Sequence, residues 1–180
     1  FGPVTIKARA TDDSGNIGAA ASVQTTVGCP CSIWPDTAVP STTSAADTQA
    51  YELGLKFRAS VDGYIRGVRF YKGTANTGTH VGHLWSSTGT PLGEVTFRDE
   101  TASGWQTASF ATPIAVQQGR TYIVSYYAPR GGYALDRPGL AAGFGNTPLR
   151  ALADGEDGPN AVFRSGSSGF PTQTKLASNY

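Results

Sequence analysis

Methionine is missing from the 180 residues altogether, histidine and cysteine occur twice each, and charged residues make up 15% of the chain against a usual share of about 25%. Each shortage excludes something. With 14 basic and 13 acidic side chains and a net charge of +1, there is no electrostatic footprint for a phosphate backbone, which argues against nucleic acid as a partner. The longest apolar runs, such as Thr121 to Tyr127, fall far short of the roughly 20 residues that a bilayer requires, so no membrane span is expected. The two histidines, His80 and His83, are three apart, and on a strand they point to opposite faces and cannot chelate one ion together. His80 reads as a turn or groove residue offering hydrogen bonds, and His83 as an ordinary face residue. Carboxylates are sparse and show no spacing that would set two of them across a sugar. No Gly-x-Ser-x-Gly elbow has a strand-to-helix context, and Gly166-Ser-Ser-Gly169 reads as a flexible turn. The expectation is therefore a protein that is not an enzyme.

In place of charge the chain carries 23 glycines, nearly twice the ordinary share of about 7%, and solubility rests on Ser, Thr and Asn. This is the profile of a secreted, β-rich protein. The length suits one ordinary domain with a piece of a second. The chain opens on Phe1-Gly-Pro-Val-Thr-Ile, with neither an initiator nor a signal peptide, and is expected to be a fragment of a larger polypeptide.

Period-2 alternation from Val4 to Thr11 and a second strand-like run from Ala20 to Val27 flank the turn sequence Asp12-Asp13-Ser14-Gly15-Asn16, predicting a hairpin. Cys29-Pro30-Cys31 follows, then proline- and Ser/Thr-rich irregular chain to about Asp47. From Tyr51 onward, strands are predicted at 51–58, 64–71, 80–86, 92–97, 105–110, 121–128, 133–135 and 161–164, with no helical period between them. Many short strands separated by Gly, Pro, Asn and Asp clusters predict an all-β chain, an antiparallel β-sandwich or jelly roll. In the first strand, Tyr51, Leu53, Leu55 and Phe57 fall on one face and Glu52, Lys56 and Arg58 on the other. In the second, Ile65 and the Val68/Phe70 pair share a face only if the strand is bulged near Gly67. Residues 136–160 lack a period and read as a long surface or ligand loop.

Three groups of residues carry a resemblance. The segment Ala8-Arg-Ala-Thr-Asp-Asp-Ser-Gly-Asn16 with the strand after it resembles the terminal hairpin of a bacterial immunoglobulin-like domain. Glu52-Leu-Gly-Leu-Lys-Phe-Arg58, Gly67-Val-Arg-Phe-Tyr-Lys-Gly73, Asn76-Thr-Gly-Thr-His80, Leu84-Trp85 and Gly104-Trp-Gln-Thr107 occur in order, followed by Tyr122 to Pro129 and by Val162-Phe163-Arg164 with Phe170-Pro171. Together these resemble a bacterial domain-of-unknown-function family found in large secreted proteins beside immunoglobulin-like repeats and glycan-associated enzymes, over roughly Cys31 to Tyr180. The resemblance implies an extracellular, non-catalytic β-sandwich and brings no established activity. Relatives of this kind continue past Asn179-Tyr180 into a tryptophan-led strand, so the sandwich is expected to lack its last strand. The expected division is a hairpin remnant over 1–28, a linker and entry segment over 29–50, and the sandwich over 51–180.

The favoured function is a secreted binding or adhesion module for carbohydrate or another cell-surface ligand. Aromatic faces stack on sugar rings while polar neighbours read hydroxyls, which singles out Tyr71, Asn76, His80, Trp85 and Tyr133, with Trp34, Trp105 and Tyr127 behind them. The competing reading for every aromatic is core, as expected for Phe57, Phe70, Phe97 and Phe110. No cofactor is expected beyond a structural Ca²⁺, for which Asp154, Glu156 and Asp157 supply hard oxygen donors, a solvated acidic turn being the alternative. Cys29 and Cys31 pair as a small-ring disulfide or bond to a second chain. The alternative function is a spacer or fibre-forming subunit that self-associates through edge strands, with the hairpin as strand donor. A glycan-active enzyme domain is the remote third.

Overall fold

The structure, a computed structural model, describes residues 2–27, 31–175 and 177–180. Cys29, and with it the expected Cys29–Cys31 bond, lies outside the described residues. The chain divides into two compact units, Phe1–Cys31 and Ser32–Tyr180. Among the described residues there is no helix, and none is long and apolar enough to cross a membrane.

The first unit is an antiparallel hairpin of β1 (Gly2–Ala8) and β2 (Ala21–Val27), in register from Gly2↔Val27 to Ala8↔Ala21. Its turn is held by Asp12, whose Oδ1 accepts from the backbone N–H of Ser14 (3.0 Å) and Asn16 (2.8 Å) while Oδ2 accepts from the Asn16 amide (3.0 Å). Such side-chain mimicry of a backbone turn is why Asp and Asn dominate these positions.

The second unit is a β-sandwich. Its strands are β3 (Tyr51–Ala59), β4 (Gly63–Lys72), β5 (Val81–Ser86), β6 (Pro91–Thr96), β7 (Gly104–Val116), β8 (Thr121–Ala128), β9 (Phe144–Asn146), β10 (Leu149–Ala151), β11 (Val162–Ser165) and β12 (Gln173–Thr174). The larger sheet runs β12–β11–β3–β8–β5–β6, with β10 added to β3 and β9 to β10; β4 and β7 form the second sheet. The pairings are antiparallel, and the β4–β7 register shifts between Ile65 and Gly67, the bulge that the apolar pattern required.

The core lies between the sheets. Leu53, Leu55 and Phe57 from β3 meet Val68 and Phe70 from β4 and Ala108 and Phe110 from β7, all buried. Phe70 stacks on Tyr126 of β8 at 4.2 Å and stands edge-on to Phe97 at 4.8 Å, the two arrangements that ring quadrupoles favour.

Two sequence expectations need correction. Residues 136–160 are not a plain loop: β9 and β10 form a short hairpin that extends the large sheet, because three-residue strands are too short to show a period. Residues 133–135 form no strand, and Leu135 makes only an isolated bridge to Thr42. Glu52 lies on the face opposite Leu53, as alternation sets it, and is fully buried there. The irregular chain from Ser32 belongs to the sandwich unit: Ile33 is buried, and the Trp105 indole donates to the Ala38 carbonyl at 2.9 Å.

Candidate functional site

Three places in the sandwich concentrate polar chemistry, and the first explains why Glu52 is buried. The outer face of the large sheet carries Glu52 of β3, Ser125 of β8, His83 of β5 and Glu94 of β6: His83 stands opposite both Ser125 and Glu94, and Glu52 is the diagonal neighbour of Ser125, whose own partner is Gly54. The chain after β11 folds over them. Phe170 packs on Trp85 at 5.7 Å between ring centres, forming a small second core with Ile123 and Val162. Glu52 accepts hydrogen bonds from His83 Nδ1 (2.9 Å), Ser125 Oγ (2.6 Å), Ser168 Oγ (2.9 Å) and the Gly169 N–H (3.4 Å). Ser125 Oγ in turn accepts from the Trp85 indole at 2.8 Å. Gly169 has φ near 147°, a backbone conformation that residues with a Cβ rarely adopt, which favours glycine at this point of the covering segment.

These residues are the components of a hydrolytic triad in a different order. In a triad the imidazole stands between carboxylate and hydroxyl and takes the hydroxyl proton. Here the carboxylate is central, Ser125 donates to it, and His83 Nε2 faces Glu94 at 3.3 Å. The cluster binds the covering segment to the sheet.

The second place is the end of the core around His80, which is fully buried. Its Nδ1 lies 2.8 and 2.9 Å from the oxygens of Glu100, and its Nε2 lies 2.8 Å from the Asn76 side-chain amide. Lys72 closes the network with an ion pair to Glu100 at 2.8 Å.

The two histidines titrate in opposite senses. Burial pushes His80 below its ordinary value, against the pull of Glu100. Burial also acts to lower His83, but the hydrogen bond and charge of Glu52, with Glu94 adding to them, carry it above that value. For His83 the folded protein holds a proton that the unfolded chain has lost, so its contribution is complete below about pH 6.5 and is lost as pH rises through the elevated folded value. For His80 the unfolded chain is protonated first, and stability is lost as pH falls below about 6.5 toward the depressed folded value. Urea unfolding across pH 4 to 9 is expected to show decline on both sides. His83→Gln should flatten the alkaline limb and His80→Gln the acidic one; unchanged limbs in both variants would refute the assignment.

The third place is a cleft of about 500 Å³ where the end of β3, the β7–β8 turn and the β9–β10 hairpin meet. That volume lies inside the roughly 300–1,000 Å³ usual for small-molecule sites. Arg58, Ser60, Gln118, Phe144 and Arg150 are among the residues that line it. Phe144 is 41% exposed and stacks on Trp34 with ring centres 5.4 Å apart and planes within 3°. Arg150 lies across Gly145, its register partner, where a Cβ would come within 2.7 Å of the arginine Cγ.

A buried asparagine builds this corner. Along one edge of β3, β11 pairs residues 51–54 and β10 pairs 57–59, leaving Lys56 without a strand neighbour. Asn160 fills the gap: its Oδ1 accepts from the Lys56 N–H at 2.8 Å, and its Nδ2 donates to the carbonyls of Leu152 (2.7 Å) and Lys56 (3.2 Å). Its own N–H donates to Asp154 Oδ1 at 2.7 Å, which closes the loop between them.

The three carboxylates of that loop, put forward as calcium donors, are thus already engaged. Glu156 grips Arg150 with both oxygens and reaches Arg58 at 3.4 Å, and Asp157 pairs with Arg58 at 3.0 Å and with the Thr121 hydroxyl. The hydrogen bond from Arg150 holds Glu156 below the usual carboxylate range, and that from Thr121, followed by Arg58, does the same for Asp157. Among the described residues no group of three or more His, Cys, Asp or Glu side chains is placed to hold a metal ion.

Of the five proposed ligand residues, Asn76, His80, Trp85 and Tyr133 are buried. Tyr71 is half-buried and stands edge-on to Trp105 at 5.7 Å, beside the Arg69 guanidinium, which lies 4.0 Å from the same indole. These residues are packing and do not form one accessible surface. Sequence reasoning missed Phe144, Arg58 and Arg150. The only local signal was the periodless, glycine-rich run that contains Phe144 and Arg150.

No protein of curated function and no solved structure matches the chain. The profile described as a domain of unknown function, DUF4082, matches residues 37–180, well over half of the sequence and nearly all of the sandwich, and the chain belongs to that family.

Proposed function

We propose that this chain is a secreted, non-catalytic binding module that takes carbohydrate in the cleft between β3, the β7–β8 turn and the β9–β10 hairpin. The observation that carries the reading is a cleft of about 500 Å³ whose lining residues include Phe144, 41% exposed, and the polar residues Arg58, Gln118 and Arg150. Sugars present apolar C–H faces to aromatic rings and hydroxyls to planar polar groups, and this recess offers both. Low charge, high glycine content and the immunoglobulin-type segment at residues 8–16 support a bacterial, extracellular setting. The central position of Glu52 in its cluster, with no hydroxyl on an imidazole nitrogen, supports a role without catalysis.

One observation favours a spacer or fibre subunit as the second reading: among the described residues the β4–β7 sheet has only two strands, so neither pairs with a further strand on its other side.

A panel of soluble polysaccharides in native affinity electrophoresis tests the first reading. Retardation by at least one glycan is expected, and Phe144→Ala should weaken it by about 1–3 kcal/mol while the protein stays folded at the temperature of the measurement. Retardation by no glycan would favour the spacer or fibre.

A further inference from the structure

We infer that Trp34 is the positioning residue of the glycan cleft, its indole holding the Phe144 ring in place so that a sugar meets an ordered aromatic surface. The inference rests on the carbohydrate reading of the cleft. Phe144 has little of its own to hold it. It stands between Gly143, whose φ is near 66°, and Gly145, in a three-residue strand that among the described residues pairs with β10 alone. Glycine on both sides leaves the backbone with more freedom than any other neighbours would. The register partner of Phe144 is Ala151, which offers the ring no more than a methyl group. A ring that the ligand must first immobilise binds more weakly by the cost of ordering it.

Trp34 supplies that order in advance. Its indole lies parallel to the Phe144 ring within 3°, with centres 5.4 Å apart, the offset stack that ring quadrupoles favour. The indole is itself anchored from both directions along the chain. Ile33, before it, is buried in the core. After it, the Ala38 N–H donates to the Pro35 carbonyl at 3.1 Å, Asp36 pairs with Arg69 of β4 at 2.6 Å, and the Ala38 carbonyl accepts from the Trp105 indole of β7 at 2.9 Å. Trp34 is therefore tied to the core and to the second sheet, whereas Phe144 rides on the outermost strand of the first.

The stack also settles what Phe144 presents. With one face against the indole, the ring keeps its other face and its rim for the cleft, and it remains 41% exposed. Trp34 is not among the residues that line the cleft, so its effect on a ligand passes through Phe144. It lies ahead of residues 37–180, the part that the family profile matches, and the site therefore draws on chain that precedes the matched residues.

Affinity electrophoresis in laminarin, xyloglucan and galactomannan tests this with the intact chain, Trp34→Leu, Trp34→Phe, Phe144→Ala and the double variant Trp34→Leu/Phe144→Ala. Leucine keeps an apolar cover but no ring, and Trp34→Leu should bind the retarding glycan about threefold to tenfold more weakly, the range of one aromatic pair. Trp34→Phe can still stack and should keep most of the affinity. In the Phe144→Ala background Trp34→Leu should change nothing further, because the ring through which it acts is gone. A folded Trp34→Leu with full affinity, or an equal loss with and without Phe144, would overturn the inference while leaving the carbohydrate reading standing. Retardation of the intact chain by no glycan would remove that reading and the inference with it. Should Trp34→Leu not fold, proton NMR of the intact chain decides: the Phe144 ring signals, identified by their loss in Phe144→Ala, should be displaced upfield by the indole and stay so when glycan is added, and a displacement that vanishes on binding would overturn the inference.

Discussion

Replacing Glu52 with alanine is expected to lower the unfolding free energy by about 3–5 kcal/mol, the usual cost of removing one partner from a buried charged pair. The reason lies in what remains. His83 and Ser125, both buried, lose their acceptor, Ser168 loses its tie to the sheet, and His83 keeps only exposed Glu94 as counter-ion. The covering segment with Phe170 is the part released, so amide exchange at residues 166–170 should accelerate before global unfolding. Glu52→Gln keeps the shape but turns an NH₂ toward groups that also donate, and it should abolish the alkaline decline of stability that His83 produces. Urea denaturation of the three proteins at neutral pH checks the magnitude, and a loss below about 1 kcal/mol for the alanine variant would mean that the cluster does not hold the segment.

Asn160→Ala is expected to cost about 2–4 kcal/mol, although the residue belongs to no strand. Its amide replaces a missing strand neighbour of Lys56, and truncation leaves the Lys56 N–H and the Leu152 carbonyl buried without partners. Asn160→Asp keeps the accepting oxygen but loses both donations and sets a negative charge against two carbonyls, so it should be no better than alanine. Because the 154–157 loop closes on Asn160, the Glu156–Arg150 pair should loosen in both variants, with glycan affinity falling alongside stability. Guanidinium denaturation combined with affinity electrophoresis measures both quantities. Full stability in either variant would show that the gap in the β3 edge is closed by other means.

Both residues show where reading the chain stops. Glu52 sits in a stretch whose alternation predicted the strand, to within a residue, and the buried face of Leu53, Leu55 and Phe57. The same alternation set Glu52 on the opposite face but was silent on its burial, because period 2 records which side a residue is on and not what later covers that side. Its partners Ser125 and Ser168 are 73 and 116 residues away. Asn160 looked like one more oxygen in an acidic turn, and only its position opposite Lys56, 104 residues earlier, makes it a backbone substitute.

The aromatic residues divide in the same way. Phe57, Phe70, Phe97 and Phe110 were legible as core because each falls in an apolar pattern, whereas Trp85 and Tyr133 adjoin polar turns and read as surface until Phe170 and Tyr180 pack against them. The cleft residues had no shared signal at all, since positions 58–60, 118–119 and 142–150 come together only when three separate connections meet at one sheet edge.

By itself, then, the sequence determined that this chain is all-β and sandwiched, where most strands run, where β4 bulges, and which large apolar side chains fill the centre, since these follow from side-chain period and turn chemistry within a few residues. The tertiary structure alone decided which polar groups are buried, which carboxylates are already matched by arginines and where a ligand-sized recess opens. Hydrogen-bond satisfaction and charge pairing belong to pairs of residues brought together across the fold, and no local pattern encodes them.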